Sequence, residues 1–243
     1  MRKAKLQVER GPFDPLPAIE LLSPLKLLAI AVCKQVSLLR LADFRDVRRL
    51  QLSANMLAGC LAADAEHSPP MLACGTVQLA VEIFDVLTGK RVQRVEHYGL
   101  CGLDIRGGFL VTCRTQQLVR VWRVETGEVL HELSLEKLFL DAVRFGSQPS
   151  AQVFVISHEQ VHAWKLGQLG CSQISQAECD QHCFVDRRRN RLIAFGSRSA
   201  SAFEPGDRVL RQLLDLPRVV RSPFRSCLRQ DRTIVFAGTD IDT

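Results

Sequence analysis

The segment HEQVH, from His158 to His162, is the closest match in the sequence to a catalytic motif. It fits H-E-x-x-H, in which two histidines on one helical face bind zinc and the glutamate, here Glu159, acts as the general base. The surrounding sequence VFVISHEQVHAWKLG has strand periodicity, and residues four apart on one strand are separated by about 13 Å. Both histidines would have to lie about 2 Å from one zinc ion. We therefore predict a turn between two strands and no metal site.

A second group of possible metal ligands contains Cys171, Cys179, His182 and Cys183. It lacks the C-x-x-C pair that is typical of structural zinc sites, so we interpret its cysteines as ordinary thiols. The sequence also lacks paired carboxylates, a nucleophile elbow and a phosphate-binding loop. We therefore predict a protein that is not an enzyme, has no catalytic residues and uses no cofactor.

Four arginines lie together at the tip of a predicted hairpin: Arg187, Arg188, Arg189 and Arg191. Their guanidinium groups repel one another unless water or an acidic ligand neutralises them. Two interpretations stay open, a solvated turn and a binding site for an acidic or phosphorylated partner. No aromatic residue lies among these arginines to stack on bases, and a net charge of +6 is only mildly basic, so nucleic acid is the weaker candidate without being excluded.

A repeated strand is the element that organises the rest of the chain. VEIFDVLTGK, from Val81 to Lys90, returns thirty-eight residues later as VRVWRVETGE, from Val119 to Glu128. Similar strands place five residues at one equivalent position, and we call these residues the blade marks: Leu39, Phe84, Trp122, Trp164 and Phe203. The steps between them are 45, 38, 42 and 39 residues, close to the length of one four-stranded repeat.

A partner strand precedes each blade mark at a nearly constant distance. Apolar runs start 11 to 13 residues before the marks, at Leu27, Leu72, Phe109, Val153 and Leu192. Other alternating runs, bounded by Gly, Asn, Asp and Ser, fit the first and fourth strands of several repeats. We predict an all-β fold with about five four-stranded blades and a partial sixth, with approximate boundaries at 12–52, 53–97, 98–133, 134–175 and 176–215.

The repeated strand and its Thr-Gly turn resemble the third strand and following turn of a WD-repeat β-propeller blade. The resemblance covers about residues 12–243 and implies a rigid propeller that binds other proteins. The family's Gly-His pair is missing, because His97 is followed by Tyr98. Its Trp-Asp pair has become Phe84-Asp85, Trp122-Arg123 and Trp164-Lys165. We therefore expect the family's buried His-Ser/Thr-Asp-Trp hydrogen-bond network to be absent.

The ends of the chain leave several alternatives open. We interpret residues 1–11 as a tail or closing strand and residues 12–243 as one propeller. The last segment, Thr233 to Thr243, supplies a second strand and its turn, so the sixth blade lacks two strands. Lys3 to Glu9 could add a strand, a partner could close the ring, or the chain could be a truncated or alternative product.

Residues 16–36, LPAIELLSPLKLLAIAVCKQV, have a competing interpretation as a compressed F-box ahead of the repeats. That would make the protein a substrate-recognition subunit of a ubiquitin ligase. The same residues fit the strand spacing of a first blade, which we prefer. The predicted function is thus a non-catalytic interaction scaffold or adaptor, with the ligase subunit as the alternative and a zinc hydrolase using HEQVH as a more remote one.

The expected location follows from what the sequence lacks. Its most apolar segment, Leu21 to Val32, is shorter than the roughly twenty residues of a membrane span, and no signal peptide is recognisable. Nine cysteines are scattered without a disulfide framework. We predict a soluble protein of the cytoplasm or nucleus whose partners are other proteins.

Overall fold

Antiparallel β-strands make up nearly all the regular structure of the computed structural model. The residues that it describes are 18–147, 152–157, 160–167, 172–176, 183–186, 191–195, 199–203, 211–215, 225–228 and 234–237. Within these ranges the one helical element is a 3₁₀ turn, Ser23–Leu25. None of the described segments forms a helix with the length and hydropathy needed to cross a membrane.

The first two sheets are simple meanders of four strands. The first contains β1 (Ala18–Leu22), β2 (Leu27–Val32), β3 (Gln35–Arg40) and β4 (Asp46–Gln51). The second contains β5 (Met56–Asp64), β6 (Met71–Thr76), β7 (Ala80–Asp85) and β8 (Arg91–Glu96). Each strand pairs with the next one along the chain, which is the strand order of a propeller blade.

The third and fourth blades are joined by one continuous strand. Their seven strands are β9 (Leu100–Arg106), β10 (Phe109–Arg114), β11 (Gln116–Arg123), β12 (Glu128–Phe145), β13 (Gln152–Ser157), β14 (Gln160–Lys165) and β15 (Ser172–Gln176). The first half of β12 pairs with β11 and its second half pairs with β13. No glycine or proline interrupts β12, so the chain passes from one blade to the next without a turn.

The remaining strands form a fifth blade and part of a sixth. They are β16 (Cys183–Asp186), β17 (Arg191–Phe195), β18 (Ser199–Phe203), β19 (Arg211–Asp215), β20 (Arg225–Leu228) and β21 (Ile234–Ala237). The first strands contact one another in sequence, β1 with β5, β5 with β9, β9 with β12, β12 with β16 and β16 with β20. Within the described residues, the predicted all-β propeller of five blades and a partial sixth is confirmed.

The blade marks share one register. Every mark lies on the third strand of its blade, opposite a leucine or valine of the second strand. The pairs are Leu39 with Leu28, Phe84 with Leu72, Trp122 with Leu110, Trp164 with Val153, and Phe203 with Leu192. The first four mark side chains are buried, and burial of each large apolar side chain stabilises the fold by roughly 1.5–3 kcal/mol.

Apolar packing joins each blade to the one before it. Phe84 packs in a cluster with residues of the first blade, Trp122 with residues of the second, and Trp164 with residues of the third. Backbone hydrogen bonds to aspartates add a polar link at the first strands. Asp64 accepts from the N–H of Gly107, and Asp104 accepts from the N–H of Phe145 at 2.8 Å. The mark face therefore serves packing, as the sequence pattern predicts.

The F-box interpretation of residues 16–36 is wrong for the part that the structure describes. Such a motif would have to precede the repeats, whereas residues 18–36 form β1, β2 and the start of β3 in the first blade. Ala18 and Leu22 of β1 are fully buried in the first core cluster. Lys3 to Glu9 and the end of the chain after Ala237 lie outside the described residues, so the alternatives for ring closure and the tail at 1–11 stay predictions.

Candidate functional site

The described part of the HEQVH segment, Gln160 to His162, lies on β14, which pairs with β13 as the strand interpretation predicts. Gln160 lies opposite Ser157, and His162 lies on β14 opposite Val155. The imidazole Nε2 of His162 is 3.0 Å from Oε1 of Gln160. Burial lowers the pKa of His162, which favours the neutral ring. His158 and Glu159 lie outside the described residues, and the strand from Gln160 onward cannot supply the helical face that H-E-x-x-H needs.

The other sequence candidates fall largely outside the described residues. β16 and β17 pair as the predicted hairpin, and Arg191 begins β17 opposite Asp186. The outside residues are Arg187, Arg188, Arg189, Cys171, Cys179 and His182. Among the residues that are described, no group of three or more His, Cys, Asp or Glu side chains could hold a metal ion. The acidic-partner site at the arginines stays a prediction.

Four large apolar side chains are exposed along one edge of the second, third and fourth blades, and we call this surface the apolar edge. Val77 and Leu79 lie in the turn between β6 and β7, Tyr98 precedes β9, and Phe139 lies midway along β12. Tyr98 is 64% exposed and Phe139 is 72% exposed. Exposed apolar groups on one surface are typical of sites that bind other proteins.

Backbone hydrogen bonds make the apolar edge continuous across the blades. The N–H of His97 donates to the carbonyl of Leu79 at 2.8 Å, and the N–H of Thr115 donates to the carbonyl of Gly99 at 3.2 Å. Gln116 then pairs with Phe139 across β11 and β12. Rigid strands and short connections therefore hold all four apolar side chains at one end of the sheets.

The turns between second and third strands have an unusual backbone at this edge. In the first three blades a non-glycine residue adopts a positive φ in this turn or just after it: Cys33 at 51°, Leu79 at 62°, and Gln117, the second residue of β11, at 74°. The left-handed region is unfavourable for side chains with a Cβ, and such conformations persist where the surroundings fix them. Leu79 is thus held outward at some cost in backbone energy.

The opposite edge of the sheets also exposes apolar side chains among the described residues, though Phe44 is its one exposed aromatic residue. Phe44 and Leu87 lie in the turns from third to fourth strand of the first two blades, and Val47, Val92 and Val129 are the second residues of β4, β8 and β12. Asp85 organises the second of these turns, because its carboxylate accepts from the N–H of Leu87 at 2.8 Å and the hydroxyl of Thr88 at 2.7 Å. Hydrogen bonds to the side chain of Asp85 therefore fix the turn that carries Leu87.

A buried histidine lies directly behind the apolar edge. His97 is 1% exposed, neither ring nitrogen has a hydrogen-bond partner among the described residues, and its ring meets Trp122 edge-on at 6.1 Å. Burial, aided by the positive charges of Arg120 and Arg114, lowers the pKa of His97 to about 4. The imidazole is neutral at physiological pH and acts as a packing group.

One link of the WD-repeat hydrogen-bond network is present, contrary to the expectation that the network is absent. The indole N–H of Trp122 donates to the hydroxyl of Thr112 at 2.8 Å, and both residues are buried. The hydrogen bond from histidine to the hydroxyl is absent among the described residues. The ring nitrogens of His97 make no hydrogen bond there, and the ring only packs against the indole of Trp122. The missing Gly-His pair, the altered Trp-Asp pair and the glutamines at 116 and 117 predict loss of the whole network, and they give no information on the bond between Trp122 and Thr112.

The sequence pattern does not predict the apolar edge. In the sequence Tyr98 marks only the departure from the Gly-His pair, and Val77, Leu79 and Phe139 belong to none of the motifs. A usable signal existed for Val77 and Leu79, because apolar residues in the turn of a confirmed hairpin have no core to enter. Phe139 gave no such signal, since it lies in a long apolar strand.

Comparison with known proteins supports the fold. No family model matches the chain, and no curated protein matches it significantly. A chain from a crystal structure of a mitotic checkpoint complex superimposes with a TM-score of 0.72 at 15% sequence identity, covering 96% of this chain and 74% of that one. In all, 1436 solved chains match, and at 15% identity the likeness supports a β-propeller fold and no particular role.

Proposed function

We propose that the protein is a non-catalytic interaction scaffold that binds another protein through the apolar edge. The observation that carries the proposal is the exposure of Val77, Leu79, Tyr98 and Phe139 along one end of three successive blades. The strands behind them are fixed by buried packing, so the surface is preorganised for binding. A preorganised apolar surface on a rigid propeller suits recognition better than chemistry.

The two aromatic residues are the expected anchors of the interface. Aromatic side chains bury large areas and are enriched among the residues that dominate binding energy. Exposed polar residues, Gln78 and Thr115, lie beside them and fit the polar rim that surrounds an interface core. The matching partner surface is an apolar segment of another protein that covers Tyr98 and Phe139.

The arginine-rich hairpin suggests a second, acidic contact. We propose that Arg191, together with Arg187, Arg188 and Arg189, favours acidic or phosphorylated partners, because guanidinium groups pair well with carboxylates and phosphates. A role in recognising substrates for a ubiquitin ligase is one form such binding could take, and residues 18–36 give it no support. Cys60 and Cys74 are buried and form no disulfide among the described residues, which fits a reducing compartment, the cytoplasm or nucleus.

Affinity capture with matched edge variants tests the proposal. The binding variant combines Tyr98→Ser with Phe139→Ser, and the control combines Phe44→Ser with Leu87→Ser at the opposite edge. Loss of two aromatic anchors should weaken capture of the main partner at least about tenfold, equivalent to about 1.4 kcal/mol. The control should bind as the unaltered protein does.

Thermal unfolding of both variants establishes that they are folded. Unchanged capture by the folded binding variant, together with loss of capture by the control, would place the interface on the opposite edge. Recovery of no specific partner by any form, including the unaltered chain, would contradict the scaffold role itself.

A further inference from the structure

Two thiols of the third blade are in contact. Cys101 lies on β9 and Cys113 on β10, and their Sγ atoms are 3.3 Å apart. This is the separation of hydrogen-bonded thiols, and a disulfide needs the sulfurs to approach to about 2.05 Å. The two residues are twelve apart in sequence, so only the pairing of β9 with β10 brings them together.

A β-bulge aligns the two side chains. Cys113 pairs with Gly102, whereas the next residue, Arg114, pairs with Leu100, so Cys101 is the extra residue of β9. A bulge re-aims its side chains away from strict alternation, which allows Cys101 to meet Cys113. Gly102 keeps the space open, because a Cβ atom there would lie 3.1 Å from the sulfur of Cys113.

The two sulfurs have different surroundings. Cys113 is fully buried, whereas Cys101 is partly exposed. The hydrogen bond from Cys113 lowers the pKa of Cys101, and burial raises that of Cys113. Cys101 is thus the thiol that ionises first and that an oxidant can reach, and Cys113 is the thiol placed to react next.

We propose that Cys101 and Cys113 are a reversible redox modification site, which forms an intramolecular disulfide on reaction with a hydroperoxide. The Cys101 thiolate attacks one oxygen of hydrogen peroxide, the O–O bond breaks, and the departing hydroxide is protonated to water. Cys113 then gives up its proton and attacks the sulfenic sulfur of Cys101, and a second hydroxide leaves as water. Two thiols and one peroxide give one disulfide and two waters.

Oxidation removes a contact between the third and fourth blades. In the reduced protein the sulfur of Cys101 is 3.1 Å from the carbonyl oxygen of Leu140 on β12 and donates a hydrogen bond to it. A disulfide has no proton for that bond. The first strands of the two blades therefore lose one hydrogen bond when the pair is oxidised, and a thiol reductant restores it.

Peptide mapping of the oxidised full-length chain tests the site directly. The reduced protein is treated with hydrogen peroxide, free thiols are alkylated, and trypsin digestion is done without reductant. Arg106 separates the two cysteines, so each lies in its own peptide, 95–106 or 107–114. The expected product is these two peptides joined by a disulfide and released by dithiothreitol.

Variants distinguish this pair from the other seven cysteines. Cys101→Ser should reduce the linked product to background, and Cys113→Ser should leave a sulfenic acid on Cys101 that dimedone traps. The matched control is Cys74→Ser on β6, which should leave the link unchanged. Recovery of both wild-type peptides unlinked, with Cys101 either still alkylated or oxidised to sulfonic acid, would overturn the proposal.

Discussion

The second and third blades carry the best two copies of the repeat, yet the charges of one ion pair are exchanged between them. The third strand supplies the acidic residue in the second blade and the basic residue in the third. Glu82 of β7 and Arg120 of β11 occupy equivalent positions, because they pair with Cys74 and Thr112 in matching registers. Glu82 is fully buried and forms an ion pair with Arg91 of the next strand at 3.3 Å. Arg120 forms its ion pair with a glutamate of the next strand, Glu132, at 2.7 Å.

The two copies also differ in the side-chain hydrogen bonds beside their marks. In the second blade Asp85 caps the turn, and hydrogen bonds from Thr88 and Leu87 outweigh burial and lower its pKa. In the third blade Arg123 replaces that acid, but the tryptophan keeps its bond to Thr112. Phe84 has no N–H to donate, and its blade has Cys74 in place of the threonine.

The features that the second and third blades share, despite their different polar contacts, are those that the repeat requires. Both turns keep a glycine at positive φ, Gly89 at 74° and Gly127 at 72°, whose N–H donates to the backbone carbonyl of residue 85 or 123 at 2.8 Å. Both marks stay buried against the preceding blade. Apolar packing and the glycine turn therefore define the blade, and the polar network can be lost piece by piece.

One expected difference between the blades concerns their charged pairs. Glu82→Ala should lower the free energy of unfolding by about 2 kcal/mol, because the N–H of Ser53, now 3.0 Å from the buried carboxylate, loses its acceptor and the half-exposed Arg91 loses its ion-pair partner. Arg120→Ala should cost about 1 kcal/mol, since its ion pair is partly exposed. Urea denaturation measures both, and equal costs would show that burial of Glu82 contributes nothing extra.

His97, which lies between the two blades, should make stability depend on pH. Its pKa is about 4 in the folded chain against about 6.5 in the unfolded chain, so between these values the unfolded chain binds a proton that the folded chain does not. Stability should therefore fall by about 3 kcal/mol as the pH decreases from 7 to 4. His97→Leu should flatten this decrease, and Leu87→Ser at the opposite edge, which changes no titratable group, should not. Identical slopes for both variants would show that His97 titrates normally.

A further contrast separates the two second strands. Thr112→Val should destabilise the protein by about 2 kcal/mol, because it leaves the buried indole N–H of Trp122 without an acceptor. Cys74→Val at the equivalent position should cost less than about 1 kcal/mol, since Phe84 needs no partner. Urea denaturation midpoints measure both costs. A larger loss of stability for Cys74→Val than for Thr112→Val would contradict a stabilising hydrogen bond between Trp122 and Thr112.

The sequence could predict the strands because their signals are local and repeated. The blade marks, the second strands and the glycine turns recur at spacings that one blade fixes, and the structure places them in one register. The apolar edge depends on which connections of different blades lie side by side, which spacing does not reveal. The pair of Cys101 and Cys113 depends on a bulge, and a one-residue shift in pairing has no signature in the residue pattern.

The measurement that tests the central claim most directly is site-specific photo-crosslinking. A photoreactive phenylalanine analogue replaces Phe139 on the apolar edge in one protein and Leu87 on the opposite edge in another. An interaction scaffold that binds through the apolar edge should crosslink to a discrete partner protein from position 139 and not from position 87. Crosslinks from position 87 alone would contradict the proposed binding surface.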